Sequence, residues 1–180
     1  MKTILILGGG GFLGLPLSNY LKKKYYVTIF QRKKPNSKNL KGIKFKSVDL
    51  SNLNNCRRYI KDFNIVINCA AILKGNKQNK LFVQNMKIFL FSIIACLNNN
   101  IKNYVFISSN NAISKNDFLK RSKNKLKFKI SDGYTLAKIM SEFFLSKLKN
   151  KINIKIIRPS NIYGPNYASG VIYDLIKKIQ

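Results

Sequence analysis

Residues 2–14, KTILILGGGGFLG, constrain the fold more than any other part of the chain. Thr3, Ile4, Leu5, Ile6 and Leu7 form a short, mostly apolar run, four glycines follow, and Phe12, Leu13 and Gly14 lead away from them. A buried strand that runs into a glycine turn and then a helix is a phosphate-binding device. The glycines allow a tight turn and close backbone approach, and the helix start offers N–H groups and partial positive charge to a pyrophosphate. Gly8, Gly11 and Gly14 are spaced GxxGxxG, with Gly9 also present. A glycine run alone also fits a flexible turn, so the remaining chain must decide.

Leu13, Leu17, Tyr20 and Leu21 recur at helical spacing and predict a first helix over 11–23, with Pro16 in its first turns where the missing N–H costs little. Strands are predicted over 27–30, 43–48, 65–68, 104–107 and 152–157. Helices are predicted from a Ser51 N-cap to residue 61, over 81–97, over 134–149 and over 171–179. The helix over 81–97 is apolar on most faces, as expected for one buried on two sides. Residues 110–131 and 158–170 read as loops. Six strands interleaved with helices, without internal repeat or low-complexity linker, predict an α/β fold. It is a Rossmann-like doubly wound parallel sheet of order 3-2-1-4-5-6, one domain over 1–180. A ligand then lies across the C-terminal strand ends, at the switch between the first and fourth strands, where Gly8 and Gly14 sit.

With 46% apolar residues the chain has enough material for a core. Its net charge of +28, from 34 basic against 6 acidic residues, points to an anionic partner: nucleic acid, a membrane surface or a phosphorylated small molecule. Lys, Ile and Asn are the commonest residues and share A/T-rich codons. Asn is uncharged and is not enriched by selection for basicity, so compositional drift is the favoured account and nucleic-acid binding stays open. The basic loop over 115–129 holds only Phe118 and Phe128 for stacking, which does not indicate a single-strand platform.

Cys56, Cys69 and Cys96 show no CxxC and no metal spacing, and the chain has no histidine. A His-containing zinc site and a Ser-His-Asp triad are excluded, and no metal is expected. The N-terminal apolar run is too short for a signal peptide, and the longest later apolar stretch, 88–97, includes Ser92 and is too short to span a bilayer. A reduced, cytoplasmic protein is the default expectation.

Tyr134 and Lys138 form YxxxK, which places both on one helix face. An ammonium beside a phenol stabilises the phenolate and lowers a pKa that starts near ~10, making the tyrosine a usable acid/base. The motif is cheap in a chain with 9 Tyr, and Tyr20/Lys24 and Tyr173/Lys177 also match. Position separates them: only Tyr134 follows the fifth predicted strand, whose end carries Ser109. A serine at a strand end and a tyrosine opening the next helix can converge on one substrate oxygen.

These segments together resemble the extended short-chain dehydrogenase/reductase family, the NAD-dependent epimerase/dehydratase group that acts on nucleotide sugars. LGGGGFLG over 7–14 is similar to its TGxxGxxG phosphate motif, with Leu7 in place of Thr. INCAA over 67–71, YVFISS over 104–109, YTLAK over 134–138 and RPSNIYGP over 158–165 resemble four further motifs in the family's order, with Asn68 where His is common. The resemblance implies that Gly8, Gly11, Phe12, Leu13 and Gly14 hold the pyrophosphate and that Asp49 and Leu50 border the adenine. Ala70, Asn85 and Pro159 are further implied cofactor contacts, and Lys138 also holds the nicotinamide ribose. Tyr134 is implied to exchange a proton with a sugar oxygen that Ser109 hydrogen-bonds, while the nicotinamide takes or returns the hydride. Asn110 and Asn161 are implied substrate contacts. A homodimer through helices 81–97 and 134–149 is also implied.

Three further departures from the family pattern bear on the chemistry. Gln31 and Arg32 stand where an acidic residue usually ends the second strand and binds the ribose 2′-OH of NAD. A guanidinium can hold a 2′-phosphate with two hydrogen bonds, so NADP is favoured over NAD. Asn110 occupies the position where the family often places its catalytic Ser or Thr, so Ser109 and Asn110 both remain candidates for the reacting oxygen. The chain is also C-terminally short and is expected to lack most of the small substrate-binding lobe. The alternatives are a non-catalytic basic protein that binds RNA or another polyanion, and an inactive truncated family member.

Overall fold

In a computed structural model of the chain, the described residues are 1–36, 40–73, 75–112, 132–160, 162–164 and 177–178. The predicted helix over 171–179, the basic loop over 115–129 and Asn161 lie outside them, apart from residues 177–178. The apolar run becomes β1 (Thr3–Leu7), followed by α1 (Gly14–Leu21), β2 (Tyr26–Gln31), β3 (Lys44–Ser47) and α2 (Leu53–Tyr59). Then come β4 (Ile65–Asn68), α3 (Gln78–Asn98), β5 (Asn103–Ile107), α4 (Gly133–Lys147) and β6 (Asn153–Ile157). The six strands form one sheet of order β3-β2-β1-β4-β5-β6, every neighbouring pair parallel. The predicted Rossmann-like architecture and strand order are therefore observed.

The central strands explain the continuous apolar runs, because parallel strands covered on both faces bury both sets of side chains. Ile4, Leu5, Ile6 and Leu7 are all buried: Leu5 and Leu7 join Phe30, Val66, Phe89 and Phe106 on one side, and Ile4 and Ile6 join Val27, Ile29 and Ile67 on the other. The first core is covered by α2, α3 and α4, and the second by α1.

Two local expectations are corrected. α1 begins at Gly14 rather than Gly11, because residues 8–13 are spent on the turn. The cap of α2 is Asn52, whose side chain accepts a hydrogen bond from Asn55 N. Ser51 instead donates its hydroxyl to Asp49. The apolar stretch over 88–97 lies inside the 21-residue α3, whose mean hydropathy of 1.6 makes it long and apolar enough to cross a membrane. Half of that apolar window is buried inside the protein, and α3 packs against α2, α4 and β4.

Candidate active site

The glycine turn is built from three different steric needs. Gly8 has φ +70°, and a Cβ there would lie 2.7 Å from Ala70 Cα. A Cβ at Gly14 would lie 2.4 Å from the Gly8 carbonyl oxygen. At Gly11 the nearest atom is that same oxygen at 3.2 Å, and the residue is exposed. Gly8 and Gly14 are thus required by packing, whereas Gly11 leaves room for a ligand. Leu13 caps α1 without a side-chain hydrogen bond, and the first turn has no acidic residue. The helix start therefore keeps amides and positive dipole charge available for an anion. Gly10 N donates to Gln31 Oε1 at 2.8 Å, and Gln31 Nε2 donates to the Lys33 carbonyl, so the end of β2 is stitched to the turn.

A cleft of about 680 Å³ opens over the C-terminal strand ends. Gly8, Gly11, Phe12, Leu13 and Gly14 border it, with Arg32, Asp49 and Leu50 from the β2–β3 side. Ala70 follows β4, and Ser109, Tyr134, Lys138 and Pro159 come from the β5–β6 side. Asp49 is held below the usual carboxylate range by hydrogen bonds from the Ser51 hydroxyl and amide, at 2.7 and 2.9 Å, with further help from the Arg32 charge.

The segment after β4 is held by two buried asparagines. Asn68 Nδ2 donates to Tyr104 Oη at 2.8 Å and to Ser92 Oγ at 3.2 Å, while its Oδ1 accepts from Ala70 N at 3.0 Å. Burial pushes the Tyr104 phenol far up, so it stays neutral. Asn85 accepts from Ile72 N and donates to Ile72 O, both at 2.9 Å. The family resemblance implies Asn85 as a cofactor contact, but it does not border the cleft. Its amide is consumed by backbone that does. Asn85→Ala leaves the Ile72 N–H and C=O unpaired and is expected to cost about 1–3 kcal/mol in chemical denaturation. No loss of stability would contradict this role.

On the opposite side Lys138 is 5% exposed, and its Nζ donates to the Ile107 carbonyl at 2.6 Å. It lies 4.6 Å from the Phe106 ring centroid and 5.5 Å from that of Tyr134. Burial is the largest cause and pushes its pKa down to about 8, with the Glu142 carboxylate acting the other way. Cys69 also borders the cleft, and burial pushes its thiol up to about 12. Ser109 borders the cleft, whereas Asn110 is exposed outside its lining and its backbone N–H donates to the Pro159 carbonyl at 3.0 Å. Asp132 caps α4 by accepting from Tyr134 N and Thr135 N, which fixes the helix start beneath Tyr134.

Sequence reasoning did not assign Ser108, whose buried hydroxyl has no hydrogen-bond partner among the described residues although the residue borders the cleft. Its place in the serine pair after β5 was visible, but its burial was not. The open Gly11, the uncapped α1 and this orphaned hydroxyl fit a dinucleotide laid along the strand ends. Within the described residues no group of His, Cys, Asp or Glu could hold a metal ion.

A family model described as "NAD dependent epimerase/dehydratase family" matches residues 4–180. The chain is 26% identical over 181 aligned residues to "Short-chain dehydrogenase/reductase family 42E member 1" of Xenopus laevis, covering 91% of this chain and 47% of that protein. UDP-N-acetylglucosamine 4-epimerase from Methanobrevibacter ruminantium, solved with UDP-N-acetylmuramic acid, superposes with a TM-score of 0.79 at 24% identity. That match covers 99% of this chain and 62% of the epimerase. Thermus thermophilus UDP-glucose 4-epimerase, solved with NAD, gives a TM-score of 0.75 at 23% identity over 93% of this chain and 58% of that one. The chain thus spans about half the length of the curated relative and about three fifths of these structures. A match of the family model along nearly the whole chain, on the glycine turn, strand order and Tyr-Lys helix described above, makes this chain a member of the NAD-dependent epimerase/dehydratase family, within the extended short-chain dehydrogenases/reductases.

Proposed function

We propose that the chain binds a nicotinamide dinucleotide and serves an oxidoreductase, epimerase or dehydratase reaction on a nucleotide sugar. The observation that carries this reading is one cleft bordered both by the glycine turn and by Ser109, Tyr134 and Lys138. A bound nicotinamide supplies hydride acceptance and return. Tyr134 takes the proton from a sugar hydroxyl and gives it back, Ser109 donates a hydrogen bond to the same oxygen, and the Lys138 ammonium favours the phenolate. Asn110, exposed beside the cleft, and Asn161 are retained as substrate contacts on the family resemblance alone. The two structural relatives, one solved with UDP-N-acetylmuramic acid and one with NAD, support these classes of substrate and cofactor.

Arg32 is exposed at the cleft border, and Gln31 replaces a carboxylate that would repel a 2′-phosphate. This favours NADP over NAD. Calorimetric titration of the purified chain at moderate and high salt tests both parts. Salt-tolerant binding with NADP preferred is the expected result, and Arg32→Ala is expected to lower NADP affinity about tenfold while sparing NAD. Binding of neither dinucleotide would overturn the proposed function. Preference for NAD would overturn only the role of Arg32.

Exposed Val83 on α3 and Phe143 and Phe144 on the adjoining α4 support a homodimer through these helices. The three free thiols fit a reducing, cytoplasmic setting.

A further inference from the structure

Glu142 is the only buried carboxylate among the described residues, in a chain with only 6 acidic residues. It accepts from Arg158 Nε at 2.9 and 3.1 Å and from Arg158 Nη2 at 2.6 Å. This is the single salt bridge among the described residues. The two partners belong to different elements. Glu142 sits on α4 one turn after Lys138, and Arg158 immediately follows β6. Beyond Arg158, Pro159 and Ser160 border the cleft.

We propose that Glu142, clamped by Arg158, is a positioning residue for Lys138: its carboxylate keeps the buried ammonium charged, and its guanidinium partner ties the helix bearing Tyr134 to the β6 end that borders the cleft. An ammonium this buried loses hydration and tends to shed its proton unless an anion lies nearby. The groups around Lys138 are few. α4 supplies Tyr134 and, one turn on and equally buried, Glu142. β5 supplies the Ile107 carbonyl and the Phe106 ring, and the end of β4 supplies the Cys69 thiol, which is neutral near pH 7. From β6 the Arg158 guanidinium is engaged with Glu142. Glu142 is therefore the anion among these groups at neutral pH, and Arg158 offsets part of its charge while fixing its place.

This inference rests on the reading of Lys138 as the partner of Tyr134, but its test does not use turnover. Lys138 is titrated by NMR of chain labelled at lysine Cε, without dinucleotide or substrate, its signal assigned as the one missing from Lys138→Arg. Glu142→Gln is expected to lower the midpoint by about one pH unit, because the nearby anion is gone. Arg158→Gln is expected to raise it, because the buried carboxylate one turn from Lys138 loses the guanidinium that offsets its charge. A role in packing alone predicts no opposite shifts. If Glu142→Gln does not fold, Arg158→Gln decides the question, since the arginine side chain is 40% exposed. A midpoint unmoved by the substitution, or moved downward by Arg158→Gln, overturns the proposal. Absent turnover in the unsubstituted protein would count against the proposed reaction and leave this result standing.

Discussion

If the proposed function holds, Tyr134→Phe is expected to lower turnover of a nucleotide sugar by about a hundredfold to ten-thousandfold, the range for loss of a positioned acid/base. Dinucleotide affinity is expected to stay close to that of the unsubstituted chain. The substitution removes one oxygen and keeps the ring, so the contact with the Lys138 ammonium is retained. It also leaves the α4 cap intact, because Asp132 holds backbone amides and the Thr135 hydroxyl rather than the phenol. The proposed dinucleotide site centres on the glycine turn at the opposite side of the cleft. The pH profile gives a second check. Lys138, pushed down to about 8, loses its charge as pH rises through that value, so turnover is expected to fall on the alkaline side. Unchanged turnover in Tyr134→Phe would remove the phenol from the reaction while leaving the fold and dinucleotide site in place.

The parts of this molecule legible in its sequence are those encoded by local spacing. The β1 run, the glycine turn and the alternation of strands with helices sufficed for the sheet order, because parallel crossovers leave few ways to arrange six strands. What escaped was set by contacts between distant residues. Ser51 and Asn52 are both good N-caps, and Asp49 decided between them by engaging Ser51. Asn85 carries a motif-like asparagine into the right neighbourhood, yet its partner is backbone 13 residues earlier rather than the cleft. In the sequence Arg158 reads as part of a loop motif, whereas its partner Glu142 becomes visible only once β6 lies beside β5 and α4 packs over the sheet. Such pairings depend on tertiary register, which residue spacing does not report.

Alanine at Gly14 and alanine at Gly11 are expected to fail in different ways, although both alter the same motif. At Gly14 the new methyl would sit 2.4 Å from the Gly8 oxygen and 2.7 Å from Gly9 Cα, both backbone atoms that cannot rotate aside. The turn must open, and with it the packing of α1 on β1. The cost is expected to be about 3 kcal/mol, or a fall in Tm of roughly 6–12 °C for a chain of this size, together with loss of dinucleotide binding. At Gly11 only the Gly8 oxygen lies near, at 3.2 Å, so that backbone oxygen must give by a few tenths of an ångström while the methyl otherwise meets open space. Stability is therefore expected to fall less than in Gly14→Ala. The methyl instead occupies the approach to the α1 amides, so dinucleotide affinity is expected to fall about tenfold to a hundredfold, as when one charge-assisted hydrogen bond is lost. Thermal denaturation and calorimetric titration of the two variants, side by side, separate packing from ligand approach. Equal loss of stability in both would show that Gly11 serves the turn itself. Undiminished affinity in Gly11→Ala would move the pyrophosphate away from this helix start.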